Sequence, residues 1–335
     1  MKRFRNILLV CDEKSAHRTV IERAVWLAKA NGSRITLVDV VDAAPGELAR
    51  LFAALPGHRA HDFEFEVLEF HRSRLTEIAA TIKSEGVETA EQVLEGIPFV
   101  EIIRKVLRDG HDLVMKGAAG DSRDRSPFFA STDLHLLRKC PCPVWVMKRG
   151  LRPHYHRVLA AVDPDPEDEQ RDALNRQTID LATSLSRMEG GELHVVNAWQ
   201  LSEEATLRDS SFARLPKDEV DLLVEAKRRE SERNLGELLR HYPEARAVCQ
   251  VHLLKGAARS VIPGFAREEG ADLIVMGTVG RVGIRGLFIG NTAEAILNQV
   301  ACSVLAVKPP GFQTPVSLAA EDLEAGRVGM QADSA

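Results

Sequence analysis

The second half of the chain contains a glycine-rich stretch whose residue types suit a phosphate group. Gly277 and Gly280 lie three residues apart, and Gly290 follows after nine further residues. Backbone N–H groups can approach an oxyanion closely at glycine because the residue has no Cβ atom. The nine intervening residues include Arg281 and Arg285 and no acid, so they add a charge of +2. This pattern predicts a loop that binds phosphate.

The residues after Gly290 are expected to open a helix beside this loop. Asn291 is predicted to be the helix N-cap, and Thr292 brings a hydroxyl to the same turn. The unpaired N–H groups and the dipole of a helix N-terminus also favour an anion. A Gly-x-x-Gly pair by itself would indicate only a tight connection between a strand and a helix. The third glycine, the basic insert and the predicted N-cap together favour binding.

The chain repeats itself, and the repeat gives this loop a counterpart in the first half. Gly117 and Gly120 recur 160 residues later as Gly277 and Gly280. Near the start of each half the offset shrinks to 151 residues, so a small insertion lies between these landmarks. Several landmarks in one register indicate a tandem duplication.

Each half alternates short apolar runs with segments of helical periodicity. This alternation predicts a parallel sheet with helices on both faces, and right-handed crossovers favour a doubly wound topology. The sequence therefore predicts an α/β protein with two tandem, doubly wound, Rossmann-like domains, each with a five-stranded parallel sheet. The predicted strands span residues 6–11, 34–41, 88–94, 112–116 and 143–148, then 156–163, 192–199, 248–254, 271–276 and 302–308.

The predicted domain boundaries follow from these elements. The first domain is expected to span residues 1–150 and the second residues 155–309, with a short linker between them. Residues 310–335 contain proline, glycine, alanine and scattered acids, and they are predicted to form a loosely ordered, flexible tail. Ligands of such sheets bind beyond the carboxyl ends of the strands, where the strand order reverses. Asp163 and Gly277 are both expected at that edge.

The composition excludes several classes of function. Of the 335 residues, 44% are hydrophobic and 28% are charged, which is typical of a globular protein. The formal net charge of -5 and the lack of dense basic clusters argue against nucleic-acid binding. No run approaches the ~18 apolar residues that a membrane helix needs. The five cysteines without an export signal favour reduced thiols, and the protein is expected to be cytoplasmic.

Two cysteines, Cys140 and Cys142, lie near His135 and invite comparison with a metal site. Their spacing matches no closed set of four zinc ligands. A buried structural pair is the better interpretation, and no metal site is predicted.

The glycine spacing, the acid after the first strand of each half and the closing Val-x-Lys strand resemble the ATP-binding signature of the universal stress proteins. The resemblance covers residues 4–309 and therefore both halves. In that family the acid lies near the ribose, a backbone group at the end of the second strand lies near the adenine, and the glycine loop holds the phosphates. The resemblance implies that the second domain binds ATP, with or without Mg, through Asp163, Val195, Met276, Gly277, Gly280, Arg281, Gly290, Asn291 and Thr292.

Two positions of the second domain depart from the family pattern. Asn291 follows the third glycine where the family usually has serine or threonine, although its amide can also donate to a phosphate oxygen. Ala293 stands where a second hydroxyl is often found.

The first domain departs further, and its loop is predicted to be degenerate. Ala130 replaces the third glycine, and its Cβ would obstruct a backbone that needs a glycine conformation. The insert of residues 121–129 carries two acids against two arginines. The weaker equivalents of the site residues in this domain are Asp12, Val40, Gly117, Gly120 and Ser131.

The resemblance implies a regulatory protein of the stress response that binds ATP or a related adenine nucleotide. No general base and no Walker-type Lys-Ser/Thr pair accompanies the loop, so at most weak ATPase activity is expected and no catalytic residue is assigned. A nucleotide-independent interaction scaffold, or a carrier of another ligand, is the main alternative. An adenylating enzyme is disfavoured because neither half has a Ser-Gly-Gly loop after its first strand. The resemblance also implies an internal pseudo-dimer of the two domains, and association of two chains stays open.

Overall fold

The structure, a computed structural model, describes residues 4–12, 16–41, 54, 60–118, 129–148, 154–209, 215–278 and 290–318. The chain divides into two compact units near residue 151. Within the described ranges, each unit has five parallel strands, and its helices pack on them. The predicted α/β fold with two doubly wound, Rossmann-like domains is confirmed.

The first unit alternates strands and helices. Its elements are β1 (Asn6–Val10), α1 (Arg18–Asn31), β2 (Arg34–Val41), α2 (Ala60–Ser84), β3 (Thr89–Glu95), α3 (Pro98–Asp109), β4 (Leu113–Gly117), α4 (Ser131–Lys139) and β5 (Val144–Met147). The strand order is β3-β2-β1-β4-β5, so the order reverses between β1 and β4. Every residue of β1, β4 and β5 is buried, as expected of apolar strands covered on both faces.

Among the described residues, the second unit repeats this plan and also contains two short helices, α6 and α8. Its elements are β6 (Arg157–Val162), α5 (Glu169–Glu189), β7 (Glu192–Trp199), α6 (Glu204–Arg208), α7 (Lys217–Arg240), α8 (Pro243–Val248), β8 (Gln250–Lys255), α9 (Ala258–Glu268), β9 (Leu273–Gly277), α10 (Asn291–Leu297) and β10 (Ser303–Val307). The strand order is β8-β7-β6-β9-β10, so the reversal lies between β6 and β9.

All ten predicted strands lie within two residues of the observed bounds. The helices α6 and α8 were not predicted from the sequence. Val248 was expected to begin a strand, but it is the exposed last residue of α8. The helix begins at Pro243, and proline favours the first position of a helix because its missing N–H has no partner there in any case.

The strand registers locate the insertion that distinguishes the two copies. Asn6 pairs with Arg34 in the first unit, and Arg157 pairs with Glu192 in the second. The offset between the copies is therefore 151 residues at their first strands and 158 at their second strands. Seven additional residues thus lie between β6 and β7.

These seven residues lengthen the first helix of the second unit. The helix α1 has 14 residues and α5 has 21, and each ends at a glycine in the left-handed region, Gly32 and Gly190. Because these glycines are also 158 residues apart, the C-terminal ends of the helices correspond. The addition therefore extends α5 at its N-terminal end by about two turns.

Two further expectations concern the whole chain. Among the described residues, no helix is long and apolar enough to cross a membrane. Residues 319–335 of the predicted tail lie outside the described ranges. Residues 312–318 belong to the first unit, where Arg104 Nε donates a hydrogen bond to the carbonyl oxygen of Ser317 at 3.2 Å.

Candidate functional site

In the second unit, the predicted acid lies at the reversal of the strand order. Ala161 of β6 pairs with Met276 of β9, and Asp163 follows two residues later, just beyond the end of β6. Gly277 ends β9 on the neighbouring strand. The structure thus brings Asp163, Met276 and Gly277 together at the carboxyl edge, where ligands of doubly wound sheets bind.

The backbone of Asp163 is held by a side chain that the sequence did not single out. The backbone N–H of Asp163 donates to Asn175 Oδ1 at 3.0 Å, and Asn175 Nδ2 donates to the carbonyl oxygen of Asp163 at 2.9 Å. Asn175 lies on α5 and is 4% exposed. Since the amide uses both of its ends on one residue, it fixes the position of Asp163. The signal that could have identified Asn175 from the sequence is an asparagine on the buried face of an amphipathic helix, because a buried amide needs hydrogen-bond partners.

The carboxylate of Asp163 is left at the surface of this edge. Its side chain is 62% exposed, and Arg171 Nη1 lies 3.8 Å from its Oδ2 atom. The start of α5 uses other acids instead. Asp168 is the N-cap and accepts from the backbone N–H of Arg171, while Asp165 Oδ2 accepts from Arg171 Nη1 at 2.7 Å. Asp163 is therefore not the cap of the following helix.

The two ends of the glycine-rich stretch are joined by a backbone hydrogen bond. The N–H of Gly290 donates to the carbonyl oxygen of Thr278 at 3.1 Å, and the N–H of Thr278 donates to Val307 on β10 at 3.2 Å. Lys308 also donates to the Thr278 hydroxyl. The hydrogen bond between Gly290 and Thr278 places Gly290, and with it the start of α10, beside the end of β9. Three predicted loop residues, Gly120, Gly280 and Arg281, lie outside the described ranges.

Two expectations about these glycines need correction. The N-cap of α10 is Gly290, and Asn291 is the first helical residue, because the backbone is still extended at Gly290 and helical from Asn291. Gly290 has φ -62° and ψ 136°, and Ala130 at the matching position of the first unit has φ -70° and ψ 167°. Any residue adopts this conformation. The loss of the third glycine therefore imposes no backbone strain on the first unit.

Gly277 leaves space that the side chain of Leu174 fills. A Cβ atom at this position would lie 2.5 Å from Leu174 Cδ2. Leu174 is buried on α5, in the extension that the first unit lacks. The absent Cβ at Gly277 thus allows the extended helix to pack over the end of β9.

Val195 does not reach the edge of the sheet. It is fully buried in the middle of β7, where it pairs with Ala160 of β6 and Val251 of β8. Its backbone groups face neighbouring strands on both sides. The register Val162↔Asn197 places Ala198 level with Asp163. Ala198 corresponds to Val40 of the first unit at the offset of 158, and it is the first residue of β7 beyond the pairing with β6.

The corresponding edge of the first unit contains a buried ion triad formed by Lys116, Asp12 and Asp133. Lys116 Nζ lies 3.0 Å from Asp12 Oδ2 and 2.9 Å from Asp133 Oδ1, and it donates to the carbonyl oxygen of Gly117 at 3.1 Å. The side chains of Lys116 and Asp133 are 2% and 0% exposed, and that of Asp12 is 34% exposed. Burial acts to lower the pKa of Lys116, but Asp133 and Asp12 together outweigh it and hold this pKa above its usual value.

A second group of charges covers the ends of β1 and β2 in the first unit. Asp39 Oδ2 accepts from Arg74 Nη2 at 2.6 Å and lies 2.5 Å from His71 Nδ1. Arg74 also donates to the carbonyl oxygen of Cys11. The backbone N–H of Val40 donates to Asp39 Oδ1 at 3.0 Å. Val40 is the residue of this unit whose backbone was predicted to lie near an adenine, and its N–H is thus already hydrogen-bonded within the protein. In the second unit, neutral Asn197 stands at the position of Asp39 and donates to the carbonyl oxygen of Val162.

The cysteine pair lies within the first unit. Cys140 and Cys142 are buried, and their Sγ atoms are 3.6 Å apart. The ring of His135 stacks on Phe99 at 4.2 Å between centroids. Within the described part of the chain, no group of three or more metal-ligating side chains comes together.

The fold and the two edges define a protein of known type. The profile of the universal stress protein family matches residues 3–148 and 154–308, which is once for each unit. The chain therefore belongs to the universal stress protein family, whose members act in the stress response.

Individual relatives share the tandem arrangement along their whole length. Universal stress protein E of Escherichia coli strain K12 is 31% identical over 327 residues, which are 96% of this chain and 99% of that protein. A universal stress protein E homolog of Haemophilus influenzae is 27% identical, covering 92% of this chain and 98% of its own length.

Solved structures share the fold. A functionally unknown protein from Pseudomonas aeruginosa PAO1 has a TM-score of 0.70 and 22% identity, with 98% of each chain covered. A universal stress protein from Archaeoglobus fulgidus has a TM-score of 0.60 and 19% identity, with 90% of this chain and 98% of that chain covered.

Proposed function

We propose that the second unit binds ATP or a related adenine nucleotide, with Mg as a companion ion, and that the protein acts in the stress response as a nucleotide-dependent regulator. The observation that carries this proposal is the exposed carboxylate of Asp163, held by Asn175 at the reversal of the strand order. A carboxylate at this place can accept hydrogen bonds from the two hydroxyls of a ribose.

The remaining contacts are assigned from their places around Asp163. The backbone of Ala198 takes the role near the adenine that was first assigned to Val195, because Ala198 is level with Asp163 and Val195 is buried in the sheet. Met276 would pack against the nucleoside from the end of β9. The phosphates would lie against the glycine-rich stretch, contacted by Gly277, Gly280, Arg281, Gly290, Asn291 and Thr292.

The first unit is proposed to contribute little nucleotide binding. Its equivalents Asp12, Val40, Gly117, Gly120 and Ser131 keep their places in the sequence, but Asp12 is paired with Lys116 and the N–H of Val40 is bonded to Asp39. These contacts support a structural role, and they favour the scaffold interpretation for this unit alone.

No residue is assigned as a general base, so we expect the second unit to hold its nucleotide and to turn it over slowly or not at all.

The test uses two samples of the purified chain. One is denatured, and any nucleotide that it releases is identified by mass spectrometry. The other is kept folded and titrated with ATP in the presence of Mg by calorimetry. We expect one ATP per chain. Gly290→Val should weaken binding at least tenfold, about 1.4 kcal/mol, because valine adopts the observed backbone conformation and only its side chain would displace the phosphates. Ala130→Val is the matched control in the first unit and should leave affinity unchanged. Absence of saturable ATP binding in the wild type would disprove the proposal.

A further inference from the structure

We propose that Lys116 and Asp133 exclude nucleotide from the first unit, so that these two side chains restrict binding to the second unit. This inference rests on the proposed function of the second unit. It identifies the residues that determine which copy of the duplicated site stays open.

The two units can be compared residue by residue at this edge. Val10 pairs with Lys116 in the first unit, and Ala161 pairs with Met276 in the second, so Lys116 and Met276 occupy the same place in the sheet. The helices α4 and α10 follow N-caps at residues 130 and 290. Their third residues are Asp133 and Ala293. The ion triad thus has an apolar counterpart in Met276 and Ala293.

Lys116 engages the acid that the second unit leaves exposed. Asp12 corresponds to Asp163, and its carboxylate lies 3.0 Å from the ammonium group of Lys116. This charge-assisted contact is roughly twice as strong as a hydrogen bond between neutral groups, so a ribose hydroxyl would meet a carboxylate whose Oδ2 atom is occupied and whose charge is partly neutralised. Asp163 has an arginine at 3.8 Å and its side chain is 62% exposed, so its carboxylate is accessible to a ligand.

Asp133 supplies an internal anion where a ligand phosphate would lie. Its Oδ2 atom accepts from the backbone N–H of Ala130 at 3.0 Å, and its side chain is completely buried. One ammonium and two carboxylates leave the triad with a net charge of -1. The triad would therefore repel a phosphate as well as occupy its space. Ala293 has no polar side-chain atom and leaves the second unit without such an anion.

The glycine difference does not account for the closure of the first unit. Ala130 and Gly290 have almost the same extended backbone, so an alanine at this position costs no strain. Its single methyl group is also much smaller than the side chains of the triad. The charge difference at Lys116 and Asp133 is therefore larger than the difference between Ala130 and Gly290.

The test exchanges the two pairs of residues in the full-length chain. An opened variant carries Lys116→Met and Asp133→Ala, which removes both partners of the buried pair and installs the residues of the second unit. A closed variant carries Met276→Lys and Ala293→Asp. A control variant, Asn298→Asp, adds an acid at the exposed C-cap of α10, outside the proposed contacts. Each protein is titrated with ATP and Mg by calorimetry, and circular dichroism and a thermal melt confirm that it is folded.

We expect one ATP per chain for the wild type and the control, two for the opened variant and none for the closed variant. If the wild type binds one ATP and the opened variant also binds one, the inference is wrong and the proposed function stands. A folded closed variant that binds ATP with wild-type affinity would overturn the inference in the same way.

The two proposals can also fail in the opposite order. If the wild type binds no ATP and the opened variant binds one, the proposed function is wrong while Lys116 and Asp133 are confirmed as the residues that close the first unit. If neither protein binds ATP, both proposals are wrong.

Discussion

The two units have the same strand order and the same pairing between their central strands, and they differ in what covers the carboxyl ends of those strands. In the first unit, Lys116 bridges Asp12 and Asp133, and Arg74 pairs with buried Asp39. In the second unit, Met276 and Asn197 stand at the same places, and Asp163 is exposed. A shared fold therefore determines where a site can form, and we propose that a few charged side chains determine whether it is open.

The first helix of each unit contributes a second difference. The seven additional residues of α5 carry it over the end of the sheet, where Leu174 packs on Gly277 and Asn175 holds Asp163. In the first unit α1 begins only at Arg18 and ends at the corresponding glycine. An insertion in one helix thus supplies the residues that position the acid of the open edge.

The largest expected effect breaks the ion triad of the first unit. Lys116→Met leaves Asp133 buried without its cation, and we expect the free energy of unfolding to fall by about 3–5 kcal/mol in urea denaturation. Met276→Leu at the same place of the second unit should cost less than about 1.5 kcal/mol. Equal losses in the two variants would show that the charges do not distinguish the edges.

The next effect tests the clamp on Asp163. Asn175→Ala leaves the backbone N–H and carbonyl of Asp163 without these partners, so unfolding should become easier by about 1–3 kcal/mol. ATP affinity should also fall several-fold in the same preparation, because the acid is no longer held in place. Asn298→Ala at an exposed position is the control and should change stability by less than about 0.5 kcal/mol. Full ATP affinity in Asn175→Ala would refute the positioning role.

A third change tests the packing of the extended helix on β9. Gly277→Ala places a methyl group against Leu174, and such overpacking should cost about 1–3 kcal/mol in thermal or urea unfolding. Gly236→Ala lies in a helix with no atom near its added Cβ, and it should stabilise the protein by about 0.5–1 kcal/mol. Stabilisation by both changes would mean that Gly277 is not a packing glycine.

The smallest expected effect concerns pH and a histidine pair of the second unit. His252 Nε2 lies 3.1 Å from His194 Nδ1, and burial, followed by the charge of His194, lowers the pKa of His252 against the opposing effect of Glu269. Because the folded-state pKa is below the unfolded value of about 6.5, the unfolded chain takes up its proton first as the pH falls. The free energy of unfolding therefore falls as the pH drops below about 6.5.

The matched residue of the first unit provides the substitution. Gln92 stands where the second unit has His252, because the registers pair Val38 with Gln92 and Val196 with His252. His252→Gln should lose less stability than the wild type between about pH 7.5 and about pH 5. An unchanged pH dependence would exclude His252 as a source of acid sensitivity.

The sequence by itself determined the elements of both units and their repetition. Apolar runs such as residues 6–10 and 273–276 become buried strands wherever a sheet is covered on both faces, and glycine ends helices because it adopts the left-handed conformation without strain. These signals depend on neighbouring residues in the chain. For the same reason the glycine spacing and the acid after the first strand could be recognised without a structure.

The tertiary structure decided which of these residues belong to an accessible site. Lys116 and Asp12 are 104 positions apart in the sequence and meet only because β1 and β4 are neighbours in register. Val195 and Ala198 differ by three residues, yet the register places only Ala198 level with Asp163. Pairing of charges and exposure depend on which strands and helices lie side by side, and a local pattern carries little of that information.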